Sequence, residues 1–206
     1  MTDDARSQVL AQVRSALAPL KERTAYPDYD PATTVAAPRL EGATPAEAFE
    51  RNLKAVNGRV FGSPAGLAAF LADNGHARGY CDPAWMNGVG EALAAAGLQV
   101  ETTYDRSRYE DYSFGITRGA GCIAESGTVI IDDHSTSDRL AALTPWVHVV
   151  ILKRAELIPT VAEAVLRFQA SPNIIWCTGP SKTADVEGIL IEGVHGPGEQ
   201  IVLFVD

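Results

Sequence analysis

Three short stretches of this chain carry side chains whose types and spacing suit chemistry. The first, Cys177-Thr178-Gly179-Pro180-Ser181-Lys182-Thr183-Ala184-Asp185, follows the apolar run Asn-Ile-Ile-Trp. It reads as a strand that turns into a helix start: Gly179 permits the tight exit, Ser181 caps the following N–H groups, and Lys182 adds a positive charge. Such a site suits a carboxylate or phosphate, with Thr183 in reach. It is not a Walker loop, because Trp176 and Ser181 stand where that pattern needs glycine. The alternative is an ordinary capped turn, since Gly-Pro-Ser is common turn chemistry.

The second stretch is Ala124-Glu125-Ser126-Gly127-Thr128. A carboxylate at a strand end serves as nucleophile or general base when burial raises its pKa. Ser126, Gly127 and Thr128 would then line the ligand. The alternative is a solvated hairpin tip. A serine-hydrolase elbow is excluded, because Ala124 and Thr128 replace its glycines. Gly119-Ala120-Gly121 lacks the third glycine of a dinucleotide fingerprint. The third stretch, Glu-Gly-Val-His-Gly-Pro-Gly-Glu-Gln, sets His195 between an apolar strand and a turn, where imidazole can shuttle a proton near neutral pH. His148, inside Trp-Val-His-Val-Val-Ile-Leu, reads as a core or pocket-lining residue.

No His, Cys, Asp or Glu spacing matches a metal or iron–sulfur site, so neither a metal nor a bound cofactor is expected. Cys81, Cys122 and Cys177 form no C-x-x-C pair and read as reduced, mostly core residues of a cytoplasmic protein. Cys122 has no base partner visible in the sequence and reads as a small buried hydrophobe. The 26 acidic against 17 basic residues give a net charge of −9, which argues against nucleic acid. The chain opens with Asp3 and Asp4 rather than a basic leader, and no apolar run reaches the roughly 20 residues of a membrane span.

The elements that must position these residues follow from periodicity. Val9, Leu10, Val13, Leu17 and Leu20 share a helical stripe over residues 3–23, which Pro19 should kink or end early. Residues 24–44 carry Pro27, Pro31 and Pro38 without periodicity and read as an extended linker. The division expected is 1–44, a helix and Pro-rich linker, and 45–206, one α/β domain. From Pro45 onward helices alternate with short β-rich runs, predicting an open, mainly parallel sheet with helices on both faces. Gly121–Ala124 and Thr128–Asp132 read as a hairpin, and residues 83–97 as one helix. In such a sheet the loops carrying Glu125, Lys182 and His195 would gather at the carboxyl ends of the strands.

Three segments taken in order, 114–131, 143–159 and 178–206, resemble the lactate-utilisation protein C family, the LUD domain group. The resemblance covers roughly residues 45–206. Ser126 stands where that family usually has threonine, keeping the hydroxyl. It implies a fold similar to the sugar-phosphate isomerase and CoA-transferase superfamily. It also implies a part in oxidising L-lactate to pyruvate with iron–sulfur and cysteine-rich lactate-utilisation proteins. The alternative is a free-standing transferase or isomerase acting on a carboxylate, CoA or sugar-phosphate substrate, with Glu125 as nucleophile or base. A third reading, a scaffold, would need no polar pocket.

Overall fold

The computed structural model describes residues 3–20, 25, 40–42, 44–171, 173–184 and 188–205. Most of the expected linker, together with Lys21, Arg23, Asp185 and Glu187, lies outside them. The chain divides into two compact units, Met1–Thr34 and Val35–Asp206. In the first, α1 spans Asp3–Leu17 and stops two residues before Pro19. Its stripe of Val9, Leu10, Val13 and Leu17 is exposed.

The second unit opens with α2 (Pro45–Ala55), whose Thr44 and Glu47 form a capping box over the first turn. Then come β1 (Arg59–Phe61), α3 (Pro64–Asp73) capped by Ser63, and β2 (Arg78–Cys81). The expected helix over 83–97 is broken. A 3₁₀ turn and a π turn lead into α4 (Glu91–Ala95), because Asn87 and Gly88 leave helical geometry, Gly88 at φ +87°. After β3 (Gln99–Glu101) come β4 (Phe114–Arg118), β5 (Gly121–Ile123) and β6 (Thr128–Asp132). The chain continues through α5 (Leu140–Leu143), β7 (Val147–Lys153), β8 (Leu157–Ile158) and α6 (Val161–Arg167). It ends with β9 (Ile174–Cys177), β10 (Lys182–Ala184), β11 (Leu190–Glu192) and β12 (Glu199–Val205).

Six strands form an all-parallel sheet in the order β1-β12-β7-β4-β2-β3. Its central strands are apolar on both faces, as a covered parallel sheet requires. On one face Phe114, Ile116, Val147, Val149, Ile151, Ile201 and Leu203 meet Leu67 and Leu71 of α3 and Leu93 of α4. On the other, Val150, Leu152, Val202 and Phe204 pack with Phe49 and Leu53 of α2 and with Cys122, Ala124 and Val129. Cys122 and Val129 belong to a second, four-stranded sheet, β8-β5-β6-β9, built by extending the β5–β6 hairpin, and Ala124 to the turn between those two strands. The α/β alternation and the hairpin are as expected. The second sheet and β4 as a strand are additions.

The third departure concerns the loop after β9. No helix starts there. Lys182–Ala184 form β10, paired antiparallel with β11, so helix N–H groups are not part of this site. Thr183 lies opposite Ile191 in that ladder, where extended β-branched side chains pack well.

Candidate functional site

The central strands leave a gap over their amino-terminal halves. His148 and Gln200, the second residues of β7 and β12, stand opposite each other on the face that carries the second sheet. Further along, Val150, Leu152, Val202 and Phe204 fill that face. A cleft of about 830 Å³ opens above His148 and Gln200. Its walls are the β6 and β9 edge of the second sheet, the segment from Asp133 to Leu143, and the loops at 178–181 and 195–197. The expected gathering at the carboxyl ends is therefore corrected: His195 and Pro197 precede β12, which puts them at its amino end.

Two hydrogen bonds join the loops. The Ser181 amide donates to Pro197 O at 2.8 Å and the Gly193 amide to Ser181 O at 2.9 Å. A Cβ on Gly196 would fall 3.1 Å from Ser181 Cβ, so these loops touch and glycine permits the approach. The result is one wall presenting Ser181 and His195 to the cleft. Arg106 and Arg139 also line the cleft. Arg139 pairs with Asp133 at 3.0 Å, and Asp133 also accepts from Asn173 at 2.6 Å, pinning the 133–139 segment to the start of β9. Arg106 makes no ion pair among the described residues. Ser137 is held from behind by Tyr80 at 2.7 Å.

The floor is a closed polar set. His148 Nε2 lies 2.9 Å from Thr117 Oγ1 and Nδ1 lies 3.2 Å from Gln200 Oε1. With the amide oxygen facing the ring, Nδ1 carries the proton and Nε2 accepts from the hydroxyl. Burial pushes the His148 pKa down to about 4, against a smaller opposing pull from Gln200. The imidazole is thus neutral, with both nitrogens engaged; it shapes the floor and is no proton carrier at neutral pH. Cys177, on the β9 wall, is pushed up to about 11 by burial and stays a thiol. Cys122 is buried and pushed up to about 12.

The remaining sequence candidates sit beside α2 rather than in the cleft. Glu125 is 6% exposed; its Oε2 accepts from the Val161 amide at 2.8 Å, where α6 begins. Asn52 of α2 donates to Ala124 O at 2.7 Å and Glu125 O at 3.2 Å. Gly127, at φ +65°, brings the turn so close that a Cβ would fall 2.2 Å from Leu53 N. Ser126 Oγ, Thr128 Oγ1 and Thr178 Oγ1 form a hydroxyl chain at 2.7 and 2.8 Å, which links this turn to the cleft at Thr178.

Gly179, at φ +74°, approaches the same helix one turn later, its Cβ position 2.2 Å from Val56 O. Lys182 Nζ donates to Val56 O at 3.2 Å and pairs with Glu192 at 3.4 Å. Its charge thereby complements the carboxyl end of α2. Structure thus brings Gly179, Ser181 and His195 together in the cleft, and sets Glu125, Ser126, Gly127, Thr128, Lys182 and Thr183 outside its lining. Arg106, Arg139, Asp133 and Gln200 are not signalled by any local motif. Among the described residues no group of three or more His, Cys, Asp or Glu could hold a metal, and no helix is long and apolar enough to cross a membrane.

The LUD domain matches residues 85–205, a span containing every residue that lines the cleft. "Lactate utilization protein C" of Deinococcus radiodurans is 29% identical over 147 residues, covering 69% of this chain and 68% of that protein. The protein of the same name from Bacillus subtilis (strain 168) is 32% identical over 104 residues, covering 47% of this chain and 43% of its own length. That from Bacillus pumilus is 29% identical over 105 residues, 44% of its length. The chain thus spans less than half of these Bacillus relatives. A crystal structure of a DUF162 family protein from Deinococcus radiodurans is similar in fold, with a TM-score of 0.55 at 22% identity, over 80% of this chain and 99% of that one.

Proposed function

Because the chain belongs to the LUD domain family, we propose that it is a component of a cytoplasmic lactate-utilisation system and holds a small carboxylate in the cleft between its two sheets. One observation carries this reading: the joined Ser181 and His195 loops and Arg106 line one cleft. A 2-hydroxy acid asks for a cation at its carboxylate and a hydrogen-bonding partner at its hydroxyl oxygen. Arg106 offers a planar fork of N–H donors for the first. Ser181 and His195 offer the second. The names of the relatives point to the same substrate.

Converting lactate to pyruvate removes two electrons and two protons. In this reading the chain's residues bind and orient the acid, and His195 takes the hydroxyl proton. The two electrons and the second proton, released from C2, pass to the iron–sulfur partner proteins. His148, neutral and engaged on both nitrogens, keeps a polar but uncharged floor beneath the acid.

Calorimetric titration of L-lactate and pyruvate into the full chain and into Arg106→Gln tests this. The reading expects saturable binding of at least one acid, weakened about tenfold or more by the substitution, as loss of a charge-assisted hydrogen bond implies. Absence of binding, or equal affinity in the variant, overturns it.

A further inference from the structure

We infer that the cleft is built for a 2-hydroxy or 2-oxo acid with a bulky apolar side chain, which it prefers over lactate itself; this rests on the carboxylate reading above. Lactate has three carbons and three oxygens. At the ~30 Å³ that one water occupies in the liquid, six such atoms fill about 180 Å³, a minor part of the 830 Å³ available. Clefts of roughly 300–1,000 Å³ enclose considerably larger ligands.

The lining says what the rest of the ligand is. Ile131 and Ile175 are paired across β6 and β9, as are Val129 and Cys177 two residues away. Val129 packs with Val150 and Val202 of the large sheet. A strand's period of two therefore turns Ile131 and Ile175 toward the large sheet and the cleft. Ile130 and Ile174 turn the other way, to the cluster with Ala164 of α6. The lining also includes Leu140 and Leu143 of α5. Ile175 is 40% exposed and Leu143 51% exposed. Leu143 reaches the His195 loop, its Cδ1 lying 3.6 Å from a Cβ position on Gly196. The apolar surface thus adjoins the polar wall, so one molecule can set its acid end at Arg106 and His195 and its side chain between Ile175 and Leu143.

Calorimetry on the full chain with L-lactate, L-3-phenyllactate and 2-phenylethanol decides it. Phenyllactate should bind at least tenfold more tightly than either of the others. Ile175→Asn and, separately, Leu143→Ser should bring its affinity down toward that of lactate; both positions are partly exposed, so at least one variant is expected to fold. Lactate binding as tightly as phenyllactate overturns this inference and leaves the carboxylate reading standing. Phenylethanol binding as tightly as phenyllactate overturns it by removing the role of the acid group. Failure of both acids to bind overturns this inference and the carboxylate reading together.

Discussion

The Ser181 amide donates to the Pro197 carbonyl at 2.8 Å, and through this bond the two glycine-proline loops that flank the β10–β11 ladder become one wall. Anything that separates the loops should disturb the cleft without reaching the hydrophobic core. Gly196→Val pushes bulk against Ser181 and Leu143. Lactate affinity should fall by about tenfold or more, with an unfolding loss below roughly 1.5 kcal/mol. Calorimetry paired with urea denaturation measures both.

Glu125 and Lys182 give a contrasting expectation. The Glu125 carboxylate meets the Val161 amide, so Glu125→Ala leaves that donor without this acceptor and should destabilise the fold by about 1–2 kcal/mol. Its ligand affinity should stay unchanged. Lys182→Ala should cost no more than about 1 kcal/mol, also with unchanged affinity, since its ammonium serves Val56 and Glu192. A collapse of affinity in either variant would restore the reading of Glu125 as nucleophile or base, or of Lys182 as the anion contact.

Two glycines carry the approach of these turns to α2. Gly127→Ala places a methyl 2.2 Å from Leu53 N at φ +65°, where backbone faces backbone and neither can give. A loss of more than about 3 kcal/mol is expected in denaturant titrations. Gly97→Ala, at φ +88° but facing open space, should cost only about 1 kcal/mol. Similar losses at both sites would show that the close approach contributes nothing.

His148 sets a pH dependence of stability. Its pKa is depressed from 6.5 to about 4 by burial, so between these values the unfolded chain binds a proton that the folded chain refuses. Stability therefore rises with pH across that window. The His148 contribution is complete above about pH 6.5 and is lost as pH falls toward 4, on the order of 3 kcal/mol in all. The difference between the native chain and His148→Gln, followed by urea denaturation from pH 4 to 7.5, should show this slope. A constant difference would contradict a neutral buried imidazole.

How much of this was legible in the residues depends on how local the signal was. Alternating apolar runs located most helices and the central strands, and Ala124–Thr128 was readable as a hairpin turn. Phe114–Arg118 gives no distinct strand signal because its apolar run passes almost directly into Gly119-Ala120-Gly121. The second sheet was invisible because nothing in Ile174–Cys177 says which sheet it joins; its partner β6 begins some forty-five residues earlier. The helix expected after Gly179 gave way to β10 through pairing with β11, a tertiary choice that Gly-Pro-Ser does not encode. His148 and His195 could be suspected singly. Arg106, Arg139 and Gln200 become site residues only when four separate segments converge, and no spacing announces that.

The most direct test of the central claim is amide chemical-shift mapping on the full chain titrated with L-lactate. Perturbations should concentrate at residues 137–139, 179–181 and 195–196, with little change at Glu125 or along Arg59–Phe61. No saturable perturbation, or one centred on Glu125 and α6 with the Ser181 and His195 loops silent, would contradict a carboxylate site in the cleft between the sheets.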